Sequence, residues 1–306
     1  MSVVVGGPIR AGVEIGDAAS PAFCRLPDPA SLLGLRAGRF AALSQGHAAA
    51  AYLRFLSALA EAQAAAVAAP AGFKAPGPDH LARCREHGVP PLRHLPPRLG
   101  ASWRPALDAI LARVAPADLP PAARAAIQRL EAAEDERLAE LAGAVLDGDI
   151  PPDGMAEVPF VVAALQVELV RLASLLDPSA LVPVGEGICP ACGSPPVASL
   201  VVGWPGAQGA RYLACSLCAA AWNHVRIKCA GCGSTKGIAY YGIEGQDEVA
   251  RGETCEACRG YLKHFQQQQD PLIDPVADDV ATLGLDLLLR EAGWRRIGRN
   301  PFLLGT

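Results

Sequence analysis

The chain has 306 residues and is about half apolar, enough for roughly two globular domains that each bury a core. Its formal charge of −4 gives no general attraction to nucleic-acid phosphates or anionic membranes, so a nucleic-acid role would need a local basic patch. No stretch offers the roughly 18 uninterrupted apolar residues of a membrane helix, and "MSVVVGGPIR" lacks the basic start and apolar core of a signal peptide.

A cytosolic protein without membrane insertion is therefore expected. In that reducing setting, ten cysteines point to metal ligation or redox chemistry rather than to disulfides.

Residues 1–182 are rich in Ala and Leu, and their helical periodicity is interrupted by proline clusters, which predicts an all-α domain. Over 47–69, Leu53, Leu56, Leu59 and Ala60 share one face before Pro70 ends the helix, and a Pro- and Gly-rich loop should follow through "APGPDH" and "VPPLRHLPPRLG". A second helix is expected from Pro121 to Leu146, carrying Ile127, Leu130, Leu138, Leu141 and Val145, with Glu134 at its solvent edge. A third, over 159–176, brings Leu165, Leu169, Leu172 and Leu176 together. Short connections between them favour bundle-like packing.

After a linker at 177–187, eight cysteines fall within seventy residues: Cys189, Cys192, Cys215, Cys218, Cys229, Cys232, Cys255 and Cys258. Each of the last four lies 40 residues beyond its counterpart, and Gly193/Gly233, Ser194/Ser234, Arg211/Arg251 and His224/His264 repeat at the same interval. The pattern is an internal duplication. Two residues between cysteines let both thiolates of a tight turn face one ion, and a second such turn closes a tetrahedron around zinc or a rubredoxin-type iron. Glycine after the second cysteine, at Gly193 and Gly233, suits a turn that needs positive φ.

The intervening segments read as β-hairpins. The duplication favours one ion per half, although a cross-braced pairing of the first CxxC with the third fits the count as well. Four thiolates leave no open coordination position, so metal-hydroxide catalysis is disfavoured. No nucleophile elbow, phosphate loop or dinucleotide fingerprint is present, and no catalytic or organic-cofactor residue is assigned.

His224 and His264 are read as positions inherited with the duplication rather than as ligands, and Trp204 and Trp222 as caps on small cores. Cys24 and Cys84 receive no role, although Arg83, Arg85 and His87 would make Cys84 reactive if they lowered its pKa. One more amphipathic helix is expected on Val276, Val280, Leu283, Leu287 and Leu288, ending near Gly293. Asp274, Asp278 and Asp279 at its start suit the helix dipole better than contact with a basic segment of another protein, and the tail "NPFLLGT" is apolar enough to dock.

The resulting architecture is multidomain α plus small β: a helical domain (1–182), two tandem rubredoxin-like or zinc-ribbon modules (183–226 and 227–268), and a C-terminal helix and tail (269–306). Residues 23–63 with "FCRLPDP", the four CxxC pairs, and residues 270–304 with "ADDVATLGLDLLLREAGW" together resemble the formate dehydrogenase accessory proteins, the FdhE family.

This resemblance implies a cytoplasmic assembly chaperone for molybdenum- or tungsten-dependent respiratory formate dehydrogenase, not itself an enzyme. It would bind the catalytic subunit before export by the twin-arginine route, with the eight cysteines holding two ions, iron or zinc. Two other classes compete. A zinc-ribbon nucleic-acid binder is disfavoured by only seven Lys or Arg against five Asp or Glu over 188–265. A rubredoxin-like electron carrier would need a redox-active ion near the surface.

Overall fold

The structure, a computed structural model, describes residues 3–5, 21–69, 76–93, 102–114, 119–245 and 249–303. Helices occupy the first half: α1 (Leu32–Leu43), α2 (Ala50–Ala68), α3 (Pro78–Glu86), α4 (Arg104–Val114), α5 (Pro121–Glu131), α6 (Asp135–Asp147) and α7 (Val158–Ser174). Helix α7 is the hub, packed by α2, α4 and α6. Sequence periodicity assigned it a single stripe, yet fifteen of its residues are buried, from Val158 round to Ala173. A helix apolar on every side belongs in the centre of its domain.

Glu168 of α7 is fully buried within this apolar hub. Burial pushes its pKa up to about 7, against the smaller opposing pull of the Ser102 hydroxyl and the Arg171 guanidinium.

Two sequence expectations for this region are corrected. The helix expected over 121–146 is divided at Ala132–Glu134, where exposed Glu134 turns extended (φ −74°, ψ 161°) at the residue before α6. No Gly or Pro marks the break, but Asp135 and Glu136 supply the negative charge that a helix start favours. In the stretch expected as a loop, residues 70–75 and 94–101 lie outside the described residues, while α3 occupies part of the remainder. Its signals were Pro78 at the first position and Asp79 in the first turn.

Among the described residues the strands form one nine-stranded sheet. The first CxxC half contributes the antiparallel β3 (Pro196–Val201), β4 (Arg211–Cys215) and β5 (Ala221–Asn223). The second contributes β6 (Ile238–Ile243), β7 (Ala250–Cys255) and β8 (Gly260–Phe265). The expected hairpins are therefore present, but the halves are not independent. β3 and β8 pair in parallel, with Ser199 opposite His264 and Leu200 opposite Phe265. Segments far away in sequence extend the same sheet: β1 (Val3–Val5) pairs with β6, β2 (Cys24–Arg25) with β5, and β9 (Arg295–Arg296) with β8.

The expected single C-terminal helix is two, α8 (Pro275–Ala281) and α9 (Leu283–Glu291). Buried Lys263 explains the interruption. Its Nζ donates to the Asp279 carbonyl (2.6 Å) and to Thr282 Oγ1 (3.0 Å), taking up a carbonyl that a continuous helix would use. The break turns Leu285 and Leu289 inward and leaves Leu287 exposed, opposite to the uninterrupted stripe.

Around Lys263 lies a buried ionic cluster. Lys263 pairs with Asp279 and Asp286, Arg296 binds both carboxylates at 2.7 and 2.8 Å, and the Tyr261 hydroxyl and Asn300 amide donate at 2.7 and 2.9 Å. Residues 304–306 lie outside the described residues, but the tail before them docks as expected. Phe302 is buried, and its carbonyl accepts from the Tyr52 hydroxyl on α2.

Two stability tests follow from these buried charges. Arg296→Met removes one of two cations facing two buried carboxylates and should cost about 3–5 kcal/mol in urea unfolding. Glu168 keeps its proton when folded up to about pH 7, whereas the unfolded carboxyl loses it near 4.5, so folding binds a proton between those values. Its contribution therefore falls as pH rises from about 4.5 to 7 and is level above that. Glu168→Gln should flatten that slope and stabilise the protein above pH 7 by on the order of 1–3 kcal/mol, read from denaturation at several pH values.

Candidate metal centres

The structure gathers the eight predicted cysteines into two groups of four, Cys189, Cys192, Cys215 and Cys218, and Cys229, Cys232, Cys255 and Cys258. Within each group all sulfurs lie within 4.8 Å of one another. Pairing is thus sequential within each half, and the cross-braced alternative is removed. Sγ separations are 3.6 Å for Cys189–Cys218, 3.4 Å for Cys192–Cys215, 3.8 Å for Cys229–Cys258 and 3.7 Å for Cys232–Cys255. A tetrahedron with metal–sulfur bonds of about 2.3 Å has sulfurs about 3.8 Å apart, whereas a disulfide brings them to about 2.05 Å. The residues fit one ion per group.

The first CxxC turn of each half carries the same two backbone hydrogen bonds. Cys189 N–H donates to the Ser194 carbonyl and Gly193 N–H to the Cys189 carbonyl. Cys229 with Ser234, and Gly233 with Cys229, repeat the pattern at 2.8 and 3.0 Å. Gly193 (φ +81°) and Gly233 (φ +74°) take the left-handed conformation that such a turn requires. The second turn of each half needs it too, at Ala219 (φ +58°) and Arg259 (φ +56°), where no glycine marks it in the sequence. Backbone N–H groups point at sulfur: Leu217 and Cys218 at Cys215 (both 3.4 Å), and Gly231 at Cys229 (3.3 Å). Burial pushes the Cys189 and Cys218 thiols well up and Cys229 up to about 12, while the Ser234 backbone N–H holds Cys232 below its ordinary value. Four thiolates in such surroundings call for a cation among them.

The environments of the two centres differ. In the first, exposure ranges from 0% at Cys189 and Cys218 to 8% at Cys192. The helical domain seals it: Leu92 N–H bonds the Ala191 carbonyl (2.9 Å), Pro90 and Arg93 lie over Gly193, and Gln166 of α7 donates to the Ser216 carbonyl (3.0 Å). In the second, Cys229 and Cys255 are buried, but Cys232 is exposed and Cys258 half-buried. Ile297 lies against Gly231 and Gly260, and Glu186 and Lys228 against Gly233. Sequence reasoning missed these covers; the one available signal was Gln166, a polar residue within an apolar helix.

Neither repeated histidine is a ligand. His264 is buried at the β3–β8 seam, where Nδ1 lies 2.7 Å from Ser199 Oγ and Nε2 accepts from Gln266. Burial and three arginines hold its pKa down near 3. His224 Nε2 lies 3.1 Å from the Lys228 carbonyl. Trp222 is buried and Trp204 packs on Tyr212 beneath Arg25, as caps should.

The arginines do not activate Cys84: burial raises its pKa more than Arg83 lowers it, and the His80 nitrogen facing it, at 3.4 Å, also lies 2.8 Å from the Pro91 carbonyl. Burial likewise pushes the Cys24 thiol up to about 12. The three aspartates are committed inside the fold: Asp274 caps α8 and binds Arg36, Asp278 binds Arg39, and Asp279 binds Arg296.

With the geometry established, comparison with known proteins is decisive. Models of the FdhE N-terminal region, central domain and C-terminal domain match residues 21–186, 188–226 and 227–303. The chain belongs to the FdhE family. It is 41% identical over 293 residues to an FdhE homolog of Rhizobium meliloti, covering 95% of this chain and 96% of that one. It is also 41% identical over 280 residues to one of Pseudomonas aeruginosa, covering 89% of each. A crystal structure of the FdhE protein from Pseudomonas aeruginosa superposes with a TM-score of 0.83 at 39% identity, covering 93% of this chain and 99% of that one. No helix among the described residues is long and apolar enough to cross a membrane.

Metal content checks the sequential pairing. Replacing Cys229 and Cys232 by Ser should lower the bound metal from two equivalents to one and leave the Cys189 group filled; loss of both would contradict it.

Proposed function

We propose that this protein is a cytoplasmic, non-enzymatic assembly chaperone for a molybdenum- or tungsten-dependent formate dehydrogenase. It binds the catalytic subunit, and each of its two rubredoxin-like units holds one iron or zinc ion. The observation that carries this reading is the FdhE match along nearly the whole chain together with all eight cysteines in two closed clusters. Four sulfur donors occupy every position of a tetrahedral ion, so the ions act as staples rather than as sites for water or substrate.

An apolar groove supports the binding of an extended client segment. A groove of about 540 Å³ runs between α1, the first half of the sheet and the segment before α8, lined by Leu35, Leu200, Trp204, Leu272 and Ile273. Leu35 and Leu272 at its lips are 68% and 72% exposed.

The nucleic-acid reading loses further ground in the fold. Arg211 is buried against Glu253 and Lys263 against Asp279 and Asp286, so two of the seven cations over 188–265 are committed inside the fold, and Lys228 is paired with Glu186 at the surface. An electron-carrying role draws on one observation, the exposed Cys232. It requires iron, and a colourless protein with two zinc equivalents would remove it.

Co-purification with the catalytic subunit of formate dehydrogenase tests the proposal. The wild-type chain should retain that subunit, and Leu35→Asp with Leu272→Asp should weaken capture at least about tenfold by removing apolar anchors. A strain lacking the gene should lose formate dehydrogenase activity while keeping other molybdoenzymes active. Normal formate oxidation in that strain would reject the role.

A further inference from the structure

We propose that the duplicated centres have diverged in exchangeability. The Cys229, Cys232, Cys255 and Cys258 centre trades its ion with external thiolate or chelating donors, whereas the Cys189, Cys192, Cys215 and Cys218 centre keeps its ion while the chain stays folded. The proposal rests on ligation at both centres and is independent of the client's identity.

The two ligand sets are the same four thiolates on the same turns, so the chemistry of the first coordination sphere cannot separate them. Access does. Reaching the first ion means parting the Leu92–Ala191 and Gln166–Ser216 hydrogen bonds, which tie its two turns to the helical domain. Gln166 is itself buried and also bonded by Gln63, whose amide additionally holds the Ala163 carbonyl of α7, so that opening disturbs the central helix. Such an opening is sub-global and rare.

At the second centre, Cys229 and Cys255 form the buried floor, with Gly231 N–H fastened to Cys229 Sγ, while Cys232 and Cys258 form the rim. An incoming donor can bond to the ion from the rim as Cys232 Sγ releases it. The ion's oxidation state does not change, and the freed thiolate stays in solvent or takes a proton from water. The same exchange at Cys258 leaves the ion held by Cys229 and Cys255 alone, and two further replacements of those thiolates by incoming donors, each freed thiolate taking a proton from water, complete the release.

The test uses the full-length protein loaded with Zn²⁺ and a pyridylazo chelating dye in excess. One equivalent should leave at least about tenfold faster than the other, because only the slow one waits for sub-global opening. Cys232→Ser should lose the fast equivalent, or release it faster still, without changing the slow one.

Iodoacetamide labelling of the unmodified chain, mapped by peptide mass, needs no variant. Cys232 and then Cys258 should react first, with Cys189, Cys192, Cys215 and Cys218 protected until denaturant is added. Two equivalents leaving at one rate, or early labelling of the first four cysteines, would overturn the proposal. A chain that takes up no zinc before the dye is added would overturn ligation itself, a distinct result.

Discussion

Four thiolates held within 4.8 Å of one another repel unless a cation sits among them, and the fold of the second half depends on meeting that condition twice. Each half is a set of three short antiparallel strands, near the smallest sheet that is stable in water. Drawing two CxxC turns to one point fixes both ends of each hairpin. The turns in turn require left-handed residues after each pair, two of them glycines and two not. Ligation, turn conformation and strand register are thus a single constraint seen at three scales.

What the two halves share by descent, they do not share in surroundings. Arg211 is buried, donating to Ser199 and Glu253, while its repeat Arg251 lies half-buried on β7. His264 sits at the seam between β3 and β8, whereas His224 lies on the connection between the halves. The parallel pairing of β3 with β8 breaks the equivalence, since one half is pressed onto the helical domain and the other is left to the C-terminal segment. Identical ligands in unlike surroundings are the physical basis for assigning the two ions different behaviour.

The C-terminal segment closes the molecule by charge as much as by apolar contact. Two cations and two carboxylates buried together are costly unless every partner is in place, which ties β8, α8, α9 and β9 into one unit. Arg36 and Arg39 of α1 reach across to Asp274 and Asp278 in the same way, so α1 is locked to the start of α8. The aspartates are consequently structural.

Much of the candidate site was legible in the amino-acid order, because CxxC spacing and a 40-residue repeat are local facts: they named the eight ligands, the hairpins and two of the four left-handed turns. Periodicity likewise found α2 and α7, where one apolar face is enough to signal a helix. Breaks at Ala132–Glu134 and Thr282 were not legible, since the first has no Gly or Pro and the second depends on a lysine nineteen residues earlier that takes a helix carbonyl. The same limit holds for the centres. By itself the sequence determined which atoms can bind metal, for ligand identity is written residue by residue. Only the tertiary structure decided which cysteine cluster is sealed and which is open, because access depends on Leu92, Gln166 and the other residues that distant segments lay over a site.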